Sequence, residues 1–184
     1  MSHLDWELVL KRASRIRLLI SDVDGVLTDG TITYTEEGIE IKSFSVMDGL
    51  GIKLLLDAGV EFCILSSRAS SATETRAREL GIKRVYQGIK DKLAAYREIG
   101  SELGLQDHEI AYIGDDLVDL PVLTRVGLSI TVPNGARQLR DYCHYCTKVS
   151  GGKGAVREVA EVILKGKNLW SQVLNRFIHV DSHE

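Results

Sequence analysis

Short runs of apolar residues alternate along this chain with longer stretches whose apolar positions recur every three or four residues. The run IRLLIS at residues 16–21 stops at an acidic, glycine-containing loop, as a strand buried on both faces does. Residues 48–58 read as a helix, with Ile52, Leu55 and Leu56 on one face and Gly59 as its stop. VEFCIL at 60–65 is a second buried strand; polar SSRASS follows it, then a helix to about Leu80 with Gly81 behind. Residues 84–86 make a third, short strand. Asp91 can cap a helix running to about Leu103, whose Leu93, Tyr96, Gly100 and Leu103 share a stripe. IAYI at 110–113 is a fourth strand ending at Gly114-Asp115-Asp116, and residues 127–132 are a fifth. A final helix near 155–164 carries Val156, Val159, Ala160, Ile163 and Leu164 at helical spacing.

Strands alternating with helices of this length predict βαβ units and a single doubly wound, Rossmann-like α/β domain around a parallel sheet. Residues 31–44 break the rhythm. TITYTEEGIEIKSF is β-rich on both sides of Glu37-Gly38 and reads as a small hairpin flap, with no large cap domain elsewhere. Only Pro121 and Pro133 are prolines and no linker composition appears, so one domain is expected over 16–166. A helical lead-in precedes it over 1–15, and a tail follows over 167–184. In an open α/β sheet the ligand sits beyond the carboxyl ends of the strands. Polar residues after the first four strands are therefore predicted to meet in space.

Composition narrows the function. The 184 residues are 44% apolar and 27% charged, ordinary for a folded domain, and the net charge is −3. No basic excess or dense Lys/Arg run supports a nucleic-acid partner. No apolar run approaches ~18 residues, so no membrane span is expected. Residues 1–17 lack an apolar signal core, which points to a cytoplasmic protein. Three cysteines form no disulfide framework and suit a reducing compartment.

The first strand ends in Asp22-Val23-Asp24-Gly25. Two acids at i and i+2 can supply a carboxylate that attacks phosphorus and a second that donates to the leaving oxygen and later activates water. Acidic turns also serve merely as caps. The fourth strand ends in Gly114-Asp115-Asp116-Leu117-Val118-Asp119, whose carboxylates repel unless a cation neutralises them. Oxygen-only ligands suit Mg²⁺. Asp119 can equally cap the helix that starts before Pro121. Ser66-Ser67-Arg68 after the second strand offers a hydroxyl and a fixed cation, and Lys92 in GIKDK can screen carboxylates and hold a phosphate.

Together, DVDG, LSSR, the lysine of GIKDK and GDDLVD resemble the haloacid dehalogenase-like phosphatases. DVDGVLTDG, SVMDGLGIK, the LGI and YQG runs, GDDLVDLPV and GGKGAVREV resemble, more narrowly, the 3-deoxy-D-manno-octulosonate 8-phosphate (KDO 8-phosphate) phosphatase family over about residues 16–164. That resemblance implies Asp22 as nucleophile and Mg²⁺ ligand, and Asp24 as general acid/base that lends the metal its backbone carbonyl. It implies Asp115 as the third metal ligand, and Ser66 and Lys92 as binders of the transferring phosphoryl group. Substrate contacts are implied at Asp24, Ser45, Val46, Met47, Asp48, Gly49, Lys53, Arg68, Arg76 and Lys92. A phosphorylated sugar acid is the implied substrate, in lipopolysaccharide precursor synthesis, and a homotetramer is implied in which a neighbouring subunit helps close each site.

Two positions depart from the family pattern. Ser67 stands where glycine is usual, and Met47 where Arg or Lys is usual, so a nonulosonate 9-phosphate or broader sugar phosphatase is the alternative. A signalling receiver domain places its acceptor Asp after a later strand, and a catalytically dead scaffold has no need of Asp22, Asp24, Lys92 and Asp115. Without the family, Arg76 reads as an i,i+3 partner of Glu79. Cys143-His144-Tyr145-Cys146 is half of a zinc site without its complement, Cys63 reads as core, and His179 and His183 read as a polar tail. Trp170 reads as a packing residue that could seat the last helix on a neighbour.

Overall fold

The computed structural model describes residues 3–178. Six strands form one parallel sheet: β1 (Leu18–Ser21), β4 (Glu61–Leu65), β5 (Arg84–Tyr86), β6 (Ile110–Gly114), β7 (Leu128–Thr131) and β8 (Tyr145–Cys146), in the order β5-β4-β1-β6-β7-β8. Its central strands are buried on both faces because their side chains alternate between two apolar layers. Leu19, Phe62, Ile64, Ala111, Ile113, Leu128 and Ile130 face one layer. It is completed by α1 (His3–Ala13), α2 (Val46–Asp57), α3 (Ser71–Leu80) and α6 (Ala155–Gly166). Leu18, Ile20, Cys63, Leu65, Ile110 and Tyr112 face the other, against α4 (Lys92–Leu103) and α5 (Leu120–Leu123).

The doubly wound α/β architecture expected from the pattern is thus present, with strand ends within a residue or two of the expected ones. Asp91 caps α4 by accepting from the Ala94 N–H at 3.0 Å. The flap is a separate antiparallel hairpin of β2 (Thr33–Tyr34) and β3 (Glu40–Ile41), turned at Gly38 with φ +78°.

Two features depart from the sequence reading. The sixth strand, β8, lies inside Cys143–Cys146, too short for periodicity to register. His144 there is held by Ser129, whose Oγ lies 2.8 Å from its Nδ1, and no set of three metal ligands forms around these cysteines among the described residues. Residues expected as a tail instead contain α7 (Trp170–Ile178). A left-handed Asn168, φ +59°, reverses the chain so that Leu169 and Val173 pack on the core. Trp170 packs under Arg157 and Lys165 of its own α6, their charges 5.8 and 5.4 Å from the ring centroid, a cation–π arrangement. His179 and His183 lie outside the described residues. Among the described residues, no helix is long and apolar enough to cross a membrane.

Candidate active site

Four strands deliver four polar loops to one edge of the sheet, as the open α/β arrangement requires. Asp22 follows β1 directly, its N–H bonded to the Ile113 carbonyl of β6 at 3.1 Å, so the backbone fixes where its carboxylate stands. One carboxylate oxygen accepts from the Val23 N–H at 2.7 Å and the other lies 2.8 Å from Lys92 Nζ. Burial raises the Asp22 pKa to about 6 despite that ammonium. Ser66 follows β4, is buried, and its Oγ accepts from the Arg68 N–H at 3.3 Å.

The loop after β6 resolves the three acids into different tasks. All acceptor directions of Asp119 are occupied: one oxygen takes Lys92 Nζ at 2.6 Å and the Tyr112 hydroxyl at 2.6 Å. The other takes the Asp115 and Asp116 N–H groups at 3.0 and 3.2 Å. Asp119 therefore ties down the Asp115-Asp116 turn, in which Asp116 is the capping residue, and anchors the lysine; its side chain does not cap the helix that starts before Pro121. Asp116 turns to the Leu117 N–H at 2.7 Å. Asp115 is left facing the cavity, where burial first, then Asp22, Asp119 and Asp116, push its pKa up to about 7.

Carboxylate oxygens of Asp22, Asp115 and Asp119 lie within 4.8 Å of one another. With Asp119 saturated, Asp22 and Asp115 are the pair whose oxygens fit a shared hard cation. Gly25, φ +87°, makes their approach possible: a Cβ there would sit 2.0 Å from Asp115 Oδ2.

These residues line a cavity of about 270 Å³ bounded by Asp22, Asp24, Ser66, Arg68, Asp115 and Asp116. The flap reaches its rim. Lys42, just after β3, forms an ion pair with Asp24, whose other oxygen is 3.7 Å from Arg68 Nε. Arg68 in turn binds Glu40 of the flap at 2.7 Å.

Known proteins with the same features decide the family. The model for haloacid dehalogenase-like hydrolases matches residues 84–159. The chain is 47% identical to the 3-deoxy-D-manno-octulosonate 8-phosphate phosphatase KdsC of Yersinia pestis over 85% of its length and 83% of the relative's. It is 43% identical to the protein of that name from Escherichia coli K12, with the same coverage. It superposes with a TM-score of 0.90 and 44% identity on the Moraxella catarrhalis phosphatase of that name, solved with a magnesium ion, a phosphate ion and a KDO molecule, over 92% of this chain and 97% of that one. The chain belongs to the KDO 8-phosphate phosphatase family.

Of the positions that this family's pattern nominates, Asp22, Asp24, Ser66, Arg68 and Asp115 line one cavity, with Lys92 against Asp22. The rest sit elsewhere in the same chain. Ser45 caps α2 by accepting from the Met47 N–H at 3.2 Å. Val46, Met47 and Lys53 are exposed on α2. Asp48 is buried and accepts from the Arg157 N–H at 2.8 Å, closing the first turn of α6; burial raises its pKa. Gly49 lies under Arg76, where a Cβ would be 2.4 Å from Nη2, and Arg76 pairs with Glu79 at 3.1 Å.

Sequence reasoning missed Lys42, Tyr112 and Asn134. The Asn134 side chain donates to the Gly25 carbonyl at 3.0 Å and accepts from the Gly151 N–H at 2.7 Å, tying the Asp22 loop to GGKG. Its neighbour Ala136 donates to the Asp115 carbonyl at 2.7 Å. The rule that ligands gather beyond strand ends, extended to the fifth strand, would have flagged Asn134. For Lys42 the sequence held no signal beyond a cation in a hairpin.

Proposed function

We propose that the chain is a Mg²⁺-dependent phosphatase that hydrolyses KDO 8-phosphate to KDO and inorganic phosphate through an aspartyl-phosphate on Asp22. The observation that carries this reading is the buried Asp22 carboxylate held 2.8 Å from Lys92 in a cluster with Asp115, in a chain 47% identical to a phosphatase of that name. An Asp22 oxygen forms a bond to phosphorus as the bond to the sugar oxygen breaks, and Asp24 gives that oxygen its proton. Asp24 then takes a proton from the water that cleaves the acyl phosphate. Charge spreads over the phosphoryl oxygens, so Lys92 and the Ser66 hydroxyl stabilise it by position. Bound by Asp22, Asp115 and the Asp24 carbonyl, a magnesium ion would neutralise the carboxylates and the phosphoryl group. Magnesium suits an all-oxygen donor set, and the Moraxella relative was solved with it.

Substrate selection in this reading involves a second subunit. Ser45, Val46, Met47, Asp48, Gly49, Lys53 and Arg76 lie outside their own chain's cavity, and the flap and α2 expose Ile39, Ile41, Val46, Met47 and Leu50. An apolar surface of that kind supports assembly into a homotetramer whose neighbours complete each site. The reaction belongs to lipopolysaccharide precursor synthesis in the cytoplasm. Met47, lacking the family's usual cation, favours the alternative of a nonulosonate 9-phosphate or broader sugar phosphatase. Steady-state turnover on KDO 8-phosphate, a nonulosonate 9-phosphate and hexose phosphates decides between them. Highest kcat/KM on the octulosonate supports the proposal, and preference for either of the others overturns it.

A further inference from the structure

A second cavity, of about 240 Å³, opens at the opposite end of the sheet, lined by Leu8, Lys11, Arg12, Arg15, His108 and Gly127. His108 and Gly127 precede β6 and β7, and Arg15 precedes β1, so this cavity lies at the amino ends of strands whose carboxyl ends carry the catalytic cluster. Three fixed cations surround it and no carboxylate does, in a chain whose net charge is −3. The two acids that flank His108 are engaged elsewhere: Asp107 accepts from the Tyr96 hydroxyl at 2.6 Å, and Glu109 pairs with Arg17 at 3.1 Å.

The last carbonyls of α1 do not need these cations as partners. Carbonyls of Leu10, Arg12 and Ala13 already accept from the N–H groups of Ser14, Arg15 and Ile16. Arg12 is anchored instead on the Gly127 carbonyl, through Nη1 at 2.9 Å. Its Nε–H is buried and finds no acceptor among the described residues. Nε itself has no accessible surface, so an anion in the cavity would meet the exposed part of this half-buried guanidinium, with two more cations beside it.

We propose that this cavity binds a small dianion of the phosphate class, either free phosphate or the phosphate group of a monoester, held by the Arg12 guanidinium with Lys11 and Arg15 closing around it. At about 240 Å³ the cavity is smaller than the ~300–1,000 Å³ typical of larger organic ligands, which suits a phosphate group with little attached. Bound there, the anion bridges α1 to the segments leading into β6 and β7, so it stabilises the fold without touching Asp22.

Titration of the full chain with inorganic phosphate in EDTA, at constant ionic strength, tests this. Without a divalent ion, the acidic catalytic cavity repels phosphate. A saturable rise in Tm, matched by calorimetric binding, is expected. Arg15→Gln and Lys11→Gln, which leave the Arg12–Gly127 bond intact, are each expected to weaken binding by about tenfold. Lys83→Gln, an exposed cation elsewhere, leaves it unchanged. A parallel titration with phenylphosphonate, which carries an organic group and cannot be hydrolysed, separates the sources: tighter binding than phosphate assigns a monoester, weaker binding a free ion. No saturable binding, the same response to chloride, or equal binding by the Arg15 and Lys11 variants overturns the proposal. None of these results depends on which sugar phosphate is turned over.

Discussion

The Lys92 ammonium lies 2.6 Å from a carboxylate oxygen of Asp119, a residue with no exposed surface. The same ammonium is 2.8 Å from Asp22, so a single buried cation serves two buried carboxylates. Removing it strands both. Lys92→Met is expected to abolish turnover and to destabilise the fold by about 3–5 kcal/mol in urea unfolding, as breaking a buried pair does. A loss below about 1 kcal/mol would show that the pair contributes little.

Asp22→Asn tests the proposed nucleophile apart from the scaffold. Turnover is expected to fall to background while circular dichroism stays unchanged. In EDTA the variant's Tm should exceed wild type, because one of several repelling carboxylates is gone. Wild-type-like hydrolysis by this variant would contradict an attack by Asp22.

Raised carboxylate pKa values set the sign of a pH dependence. Burial first, then repulsion from Asp119 on Asp22 and from Asp22 and Asp119 on Asp115, pushes these two up to about 6 and about 7, above their ordinary range near 4. Between these limits the native state binds more protons than the unfolded chain, so metal-free stability falls as pH rises from about 4 to about 7 and stays low above. Unfolding midpoints in EDTA at pH 5 and pH 8 should show this, with Mg²⁺ restoring most of the loss at pH 8. Apparent Mg²⁺ affinity should weaken as pH drops below about 7, since protons compete for Asp115. Equal stability at both pH values without metal would refute the repulsion.

Asn134 holds the loop that follows Asp22 to the GGKG segment. Asn134→Ala should lower stability by about 1–3 kcal/mol. It should also cut kcat more than it raises KM, because misplacement of a reacting group by about 1 Å can reduce rate ~100-fold. Asn134→Asp keeps the acceptor for Gly151 but not the donor for Gly25, and should fall between. An unchanged kcat in both variants would confine Asn134 to a structural role.

Lys42 reaches from the flap to Asp24. If the pair positions the proton donor, Lys42→Ala slows hydrolysis of alkyl phosphates far more than that of p-nitrophenyl phosphate, whose leaving group needs no proton. Equal slowing of both would place Lys42 in phosphate binding instead.

Much of the site was readable before the fold was known, for a local reason. Asp22, Ser66 and Asp115 each stand at the end of a short apolar run, and a strand's end can be found from the run alone. Asp91 and Gly81, a helix cap and a helix stop, were legible on the same ground, since capping is a contact between near neighbours. β8 and α7 were not, because a two-residue strand has no period and α7 depends on a reversal at Asn168.

What the sequence by itself determined is therefore the order of strands and helices and the chemistry waiting at each strand's end, because both are written in residues a few positions apart. Tertiary structure alone decided which acid does what. Asp115, Asp116 and Asp119 are indistinguishable as a string, and Asp119 became an anchor only because Tyr112 and Lys92, 7 and 27 positions away, converge on its carboxylate. The same holds for Asn134, whose partner Gly25 is 109 positions distant. Such contacts are set by how helices close over the sheet, and no local pattern encodes them.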